Sequence, residues 1–128
     1  MIYLDSSVAL AWLLSETRAA PDSMWNDDVV SSRLLEYEVW NRIHARQLGR
    51  KLGEQTQALL NRIDFVELTP LVLARAVEPF PVPVRTLDAL HLASVEYVRS
   101  LGQSIALASF DQRLNAAARA LTIELYEL

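Results

Sequence analysis

Apolar residues in this chain alternate between short runs and longer stretches with helical spacing. Met1-Ile2-Tyr3-Leu4 is too short for a buried helix and suits a buried strand; it runs straight into Asp5-Ser6-Ser7, which are turn and helix-cap residues. Ser6 or Ser7 then predicts the start of a helix to about Glu16, with Val8, Leu10, Ala11, Trp12 and Leu14 as its apolar surface, and Pro21 ends that region. The segment from Asp22 to Asp28 has room for one short helix.

Val29-Val30-Ser31-Ser32 reads as a second strand, and helical spacing follows from Arg33 to about Leu48, closed by Gly49. A helix from about Glu54 to Ile63 follows Gly53, and Phe65-Val66-Glu67-Leu68 reads as a strand ending at Thr69-Pro70, a cap with proline at the first helical position. That helix reaches about Glu78. Pro79, Pro81 and Pro83 enforce an extended loop. Thr86 predicts the cap of a long helix to about Leu101, stopped by Gly102; Ile105 to Ser109 reads as a strand, Asp111 to Ala120 as a helix and Thr122 to Tyr126 as a last strand.

Strands alternating with helices predict an α/β fold whose central, mainly parallel sheet is covered on both faces, as one domain over residues 1–128. With 52% hydrophobic and 22% charged residues the composition is globular. The absence of cysteine excludes disulfides, thiolate metal sites and a cysteine nucleophile. Val8 to Leu14, the longest apolar run, is too short to span a membrane, and the first residues lack the positive charge of a signal peptide, so a cytoplasmic protein is expected. A net charge of −4 argues against nucleic-acid binding through a global basic field, although acids that hold cations would leave the remaining charges balanced. Glycines 49, 53 and 102 cannot form a phosphate-binding loop.

Four acids stand out, each with a plainer explanation beside it. Asp5 and Asp111 follow two buried strands, where ligands of open α/β sheets bind; the plain alternative is a loop acid for Asp5 and a helix N-cap for Asp111. On a wheel of about 100° per residue, Glu38 falls between an arc of Leu34, Tyr37, Asn41, Ala45 and Leu48 and an arc of Leu35, Val39 and Ile43, whereas Glu36 falls with Trp40, His44 and Gln47 on a solvent-facing arc. A carboxylate among apolar neighbours is costly unless a cation satisfies it, and Arg42, four residues on, is the simple candidate. Asp88 shares a face with Leu92 and Val95, and in a first helical turn it also gains from the helix dipole. His91, one turn further, reads as packed or as orienting a ligand. If the four converge, carboxylates without cysteine make a hard oxygen-donor site suited to Mg²⁺ or Mn²⁺, and phosphodiester hydrolysis is the natural chemistry.

Ile2-Tyr3-Leu4-Asp5-Ser6-Ser7, Ser32 to Glu38 leading into Asn41, Leu87-Asp88-Ala89-Leu90-His91-Leu92-Ala93 and Ser109-Phe110-Asp111-Gln112-Arg113-Leu114 together resemble the PIN-domain nucleases, most closely the VapC toxins of toxin–antitoxin pairs, over nearly the whole chain. The resemblance implies a PIN-like α/β/α sandwich and a Mg²⁺- or Mn²⁺-dependent endoribonuclease in which Asp5, Glu38, Asp88 and Asp111 surround the metal. It places Ser7, Ser109 and Asn41 as auxiliary residues; Arg85, Arg42 and Arg46 are candidate contacts to RNA backbone. It further implies inhibition by a cognate VapB-type antitoxin, a toxin homodimer, and toxin–antitoxin hetero-oligomers. The competing readings are a non-catalytic PIN-like module that binds RNA or protein, and a DNA-directed or other metal-dependent phosphohydrolase; Asp5-Ser6-Ser7 lacks the paired aspartates of aspartyl-phosphate hydrolases.

Overall fold

A computed structural model describes residues 1–128. Its centre is a five-stranded sheet of β1 (Ile2–Leu4), β2 (Val29–Ser32), β3 (Asp64–Val66), β4 (Ala106–Ala108) and β5 (Glu124–Leu125), in the order β3-β2-β1-β4-β5 with every pair parallel. The helices are α1 (Ser6–Leu13), α2 (Leu34–Ala45), α3 (Gly49–Leu60), α4 (Pro70–Ala76), α5 (Thr86–Ser100) and α6 (Gln112–Ala120), with a short 3₁₀ turn over Asp22–Asn26. No helix is long and apolar enough to cross a membrane.

Alternation along β1 divides the core. Ile2 and Leu4 join Val8, Leu13, Leu35, Val39, Ile43 and Leu59 on the face covered by α1, α2 and α3. Tyr3 points the other way and packs with Leu92, Val95, Leu107 and Leu114 beneath α5 and α6. Because β2 lies on one side of β1 and β4 on the other, the chain reverses its direction of winding between them, and the crevice beyond their carboxyl ends opens there. Asp5 follows β1 directly; its N–H still bonds the Ala108 carbonyl at 3.0 Å, so the two strand ends remain in register at the crevice.

Several element ends differ from expectation for identifiable reasons. Asp5 itself, rather than Ser6 or Ser7, caps α1, which stops at Leu13. The helix expected from Arg33 to Leu48 ends at Ala45, and the reversal is made by Gln47 with φ +57°, not by Gly49. Gly49 instead begins α3, with Gly53 inside it. Thr69 does cap α4, accepting the Val72 N–H at 3.4 Å, but the helix ends at Ala76. Arg85, rather than Thr86, is the capping residue of α5. Thr122 lies in the left-handed region at φ +57°, which delays β5 to Glu124. On α2 only Leu35, Val39 and Ile43 are buried; of the other expected arc, Tyr37 (65% exposed), Asn41 and Ala45 face solvent, Leu34 is half-buried, and Leu48, beyond the helix end, packs against the core. Trp40 packs against the core and stacks on His44 rather than standing in solvent.

Candidate active site

The four acids of the sequence line one cavity of about 610 Å³. Asp5 comes from the end of β1, Glu38 from α2, Asp88 from the first turn of α5 and Asp111 from the cap of α6. Asp5 and Asp88 are buried, whereas Glu38 and Asp111 are partly exposed. The plainer explanations of Asp111 and Asp88 hold as well: Asp111 accepts the N–H groups of Arg113 and Leu114 at 2.9 and 3.2 Å, and Asp88, in the first turn of α5, accepts that of Arg85 at 3.4 Å; Asp5 adds a cap of its own, accepting the Ser7 N–H. Each cap fixes a carboxylate at a helix start, and the helix starts surround one opening.

Two serine hydroxyls order this end of the sheet. Ser7 Oγ and Ser109 Oγ both donate to Asp5 Oδ2, at 2.6 and 2.8 Å. In return Ser7 Oγ accepts the Phe110 N–H at 3.0 Å and Ser109 Oγ accepts the Asp111 N–H at 2.9 Å. Asn115 Nδ2 donates to the Ser109 carbonyl at 2.9 Å. The loop after β4 is thereby tied to Asp5, and the bonds to this carboxylate fall on Oδ2, which leaves Oδ1 available to a ligand.

Arg85 supplies the cation between the acids. Its Nε donates to Asp88 Oδ2 at 2.9 Å and its Nη2 to Asp111 Oδ2 at 2.9 Å. Asp88 first, then Asp111, hold this guanidinium above its ordinary pKa. Arg18 and Arg42 also line the cavity, Arg18 lying over the Phe110 ring at 4.8 Å. Asn41 and Arg46 are exposed on α2 and at its end, and neither lines the cavity. Glu36 is engaged elsewhere, paired with Arg33 at 2.9 Å.

Glu38 does not pair with Arg42. Its partner is His91, whose Nε2 lies 2.6 Å from Glu38 Oε1. His91 is 2% exposed, and its Nδ1 lies 2.8 Å from the hydroxyl of the fully buried Tyr3. Burial pulls the imidazole pKa down, but the hydrogen bond and charge of Glu38 outweigh it and hold it above the usual value. Burial likewise raises the Tyr3 pKa, so its hydroxyl stays protonated. Tyr3 and Arg18 are absent from the expected site residues, and His91 is there only as a possible orienting group. The available signals were that Tyr3 is two residues from Asp5 on a strand and His91 three residues from Asp88 on a helix.

The donor set fits a hard divalent cation: the four acids and Glu16, with the hydroxyls of Ser6, Ser7 and Thr86, line one cavity, with no thiolate, and the only imidazole in it faces a carboxylate. No three of the acids are drawn together closely enough to enclose an ion, and a guanidinium stands between two of them. A second cavity of about 680 Å³, behind the proline loop, is lined mainly by apolar residues such as Leu73, Phe80 and Val82 and offers no comparable chemistry.

The chain matches the PIN domain family over residues 2–120. It is 30% identical to "Ribonuclease VapC35" of Mycobacterium tuberculosis, in an alignment that covers 96% of this chain and 93% of that protein. It is 29% identical to "Ribonuclease VapC47" of the same species, over 93% of this chain and 90% of the relative.

Proposed function

This chain belongs to the PIN-domain family, and from that premise we propose that it is a VapC-type toxin, an endoribonuclease that hydrolyses RNA phosphodiester bonds with a divalent metal ion, Mg²⁺ or Mn²⁺. The observation that carries the reading is the convergence of Asp5, Glu38, Asp88 and Asp111, from four separate segments, on one cavity at the reversal point of the sheet. Relatives matching nearly the whole chain are named ribonucleases. Residues 1–128 form one domain in this reading, working in the cytoplasm on RNA as a homodimer and held inactive in a hetero-oligomer with a cognate VapB-type antitoxin.

Asp5, Glu38, Asp88 and Asp111 would hold the ion. When bound, it supplies an acidified water as nucleophile and a positive field at the scissile phosphate. Ser7 and Ser109 fix the Asp5 carboxylate by donating to one of its oxygens, and Ser109 also steadies the backbone that carries Asp111. Arg85, half-exposed, and Arg42 at the same rim bind phosphate oxygens and place the RNA backbone over the acids. No side-chain nucleophile is required.

The test is incubation of purified protein with a structured RNA pool and a matched DNA pool, with Mn²⁺ or Mg²⁺ and with EDTA. RNA cleavage abolished by EDTA supports the reading. Cleavage of DNA alone points to the phosphohydrolase alternative, and RNA binding without cleavage to the non-catalytic module.

A further inference from the structure

We infer that Tyr3 and His91 form a buried strut that positions Glu38 by engaging its Oε1, so that Oε2 is the oxygen presented to the metal ion. The inference rests on the metal-dependent reading of the acidic cavity.

The geometry is that of a chain of hydrogen bonds with one end anchored in the sheet. Tyr3 lies in β1, the central strand, and its Oη accepts the Ser32 N–H of neighbouring β2 at 3.1 Å. That contact leaves the phenolic O–H free to donate to His91 Nδ1 at 2.8 Å. The two rings meet edge to face, at 83° and 5.9 Å between centroids, which holds the imidazole plane. With Nδ1 accepting from Tyr3, a neutral imidazole carries its hydrogen on Nε2, directed at Glu38 Oε1 2.6 Å away. A protonated imidazole carries a hydrogen there too. Both protonation states therefore donate to the same carboxylate oxygen; in the imidazolium the Tyr3 bond reverses, with Nδ1–H donating to Tyr3 Oη.

Covalent connection makes this more than packing. Tyr3 is two residues from Asp5 on one strand, and His91 is one turn from Asp88 on one helix. Glu38 is the acid with no cap or serine to hold it; it sits in the middle of α2, partly exposed, and His91 is its only protein partner. Through the strut Glu38 is indexed to the same strand and helix that deliver Asp5 and Asp88. An unguided glutamate would sample several rotamers at the cavity wall. Groups that orient a metal ligand typically change affinity or activity by about 10–100-fold when removed.

The experiment is calorimetric Mn²⁺ titration of wild type, His91→Leu, His91→Gln, Tyr3→Phe, Glu38→Gln and the His91→Leu/Glu38→Gln double variant, with thermal melting of each and RNA cleavage kinetics where they fold. His91→Leu is expected to weaken Mn²⁺ binding by about 10–100-fold and to lower kcat with little change in KM. His91→Gln, whose amide can donate to Glu38, recovers part of both. Tyr3→Phe, which removes only a hydroxyl, shifts both in the same direction by less and decides the matter if His91→Leu does not fold. In the Glu38→Gln background the His91 substitution adds no further loss. The inference is overturned if His91→Leu or Tyr3→Phe lowers thermal stability alone and leaves Mn²⁺ affinity unchanged, or if the two losses in the double variant are additive. A wild type that binds Mn²⁺ but cleaves no RNA refutes the ribonuclease reading, while the affinities still decide the role of the strut.

Discussion

Ser109 Oγ donates to Asp5 Oδ2 at 2.8 Å across 104 residues of chain, joining the ends of two adjacent parallel strands. Since the same oxygen accepts the Asp111 N–H at 2.9 Å, one hydroxyl sets two of the four acids. Ser109→Ala is expected to weaken Mn²⁺ binding and slow RNA cleavage by about 10–100-fold, with circular dichroism unchanged. Calorimetry and cleavage rates check both. Unchanged affinity would reduce Ser109 to a loop support.

In the proposed site Arg85 would act in opposite directions on the metal ion and on the RNA. Its guanidinium pairs with Asp88 and Asp111 and is half-exposed at the rim, where a phosphate could reach it. Arg85→Gln is therefore expected to bind Mn²⁺ about two- to five-fold more tightly, the scale of a solvent-screened pair, while KM for RNA rises. The affinity gain should shrink with added salt, because half-exposed charges are screened.

The buried Tyr3 hydroxyl predicts an alkaline limit to stability. Its pKa is raised in the folded protein by burial, whereas the unfolded chain releases this proton near pH 10, about the ordinary tyrosine value. The contribution is intact below that pH and is lost as pH rises further, at up to about 1.4 kcal/mol per pH unit. Urea unfolding of the metal-free protein from pH 8 to 11, about the range that brackets the ordinary value, should show this fall. Tyr3→Phe should flatten it, although the variant starts less stable because Ser32 N–H and His91 Nδ1 lose their partner.

Glycine placement accounts for the largest misreading of the fold and supplies its own test. Gly49 and Gly53 read as helix boundaries because glycine favours helix ends, yet both lie in α3 and neither has the positive φ that requires glycine. An added Cβ at Gly53 meets nothing within 4 Å. Gly53→Ala is thus expected to stabilise the protein by about 0.4–1 kcal/mol in chemical denaturation. Gly102, at φ +83° after α5, is the contrasting position, and Gly102→Ala should destabilise.

What could be read from the sequence was local. Strand runs ending in Asp5 and before Asp111, the Thr69-Pro70 start and the proline loop each have a signal within a few residues, and the alternation of elements sets the parallel sheet. The turn at Gln47 was hidden because a left-handed glutamine carries no compositional mark. The environment of Glu38 was hidden for a different reason. Periodicity on α2 counts Tyr37 and Leu34 as a buried arc, but the sheet and its neighbouring helices cover only the stripe of Leu35, Val39 and Ile43. The partner that satisfies Glu38 lies 53 residues away, and no spacing rule links residues so distant. The same holds for Arg85 and Asp111, 26 residues apart.

The most direct test of a four-acid catalytic centre is the rate of RNA cleavage, in the presence of Mn²⁺, by wild type and by Asp5→Asn, which keeps the size of the buried side chain and removes its charge. The expected result is a metal-dependent rate that falls by at least about 100-fold in the variant, beyond the usual cost of an indirect support, with its folded structure retained. A folded Asp5→Asn protein that cleaves RNA at the wild-type rate would contradict the assignment of this cavity as the catalytic site.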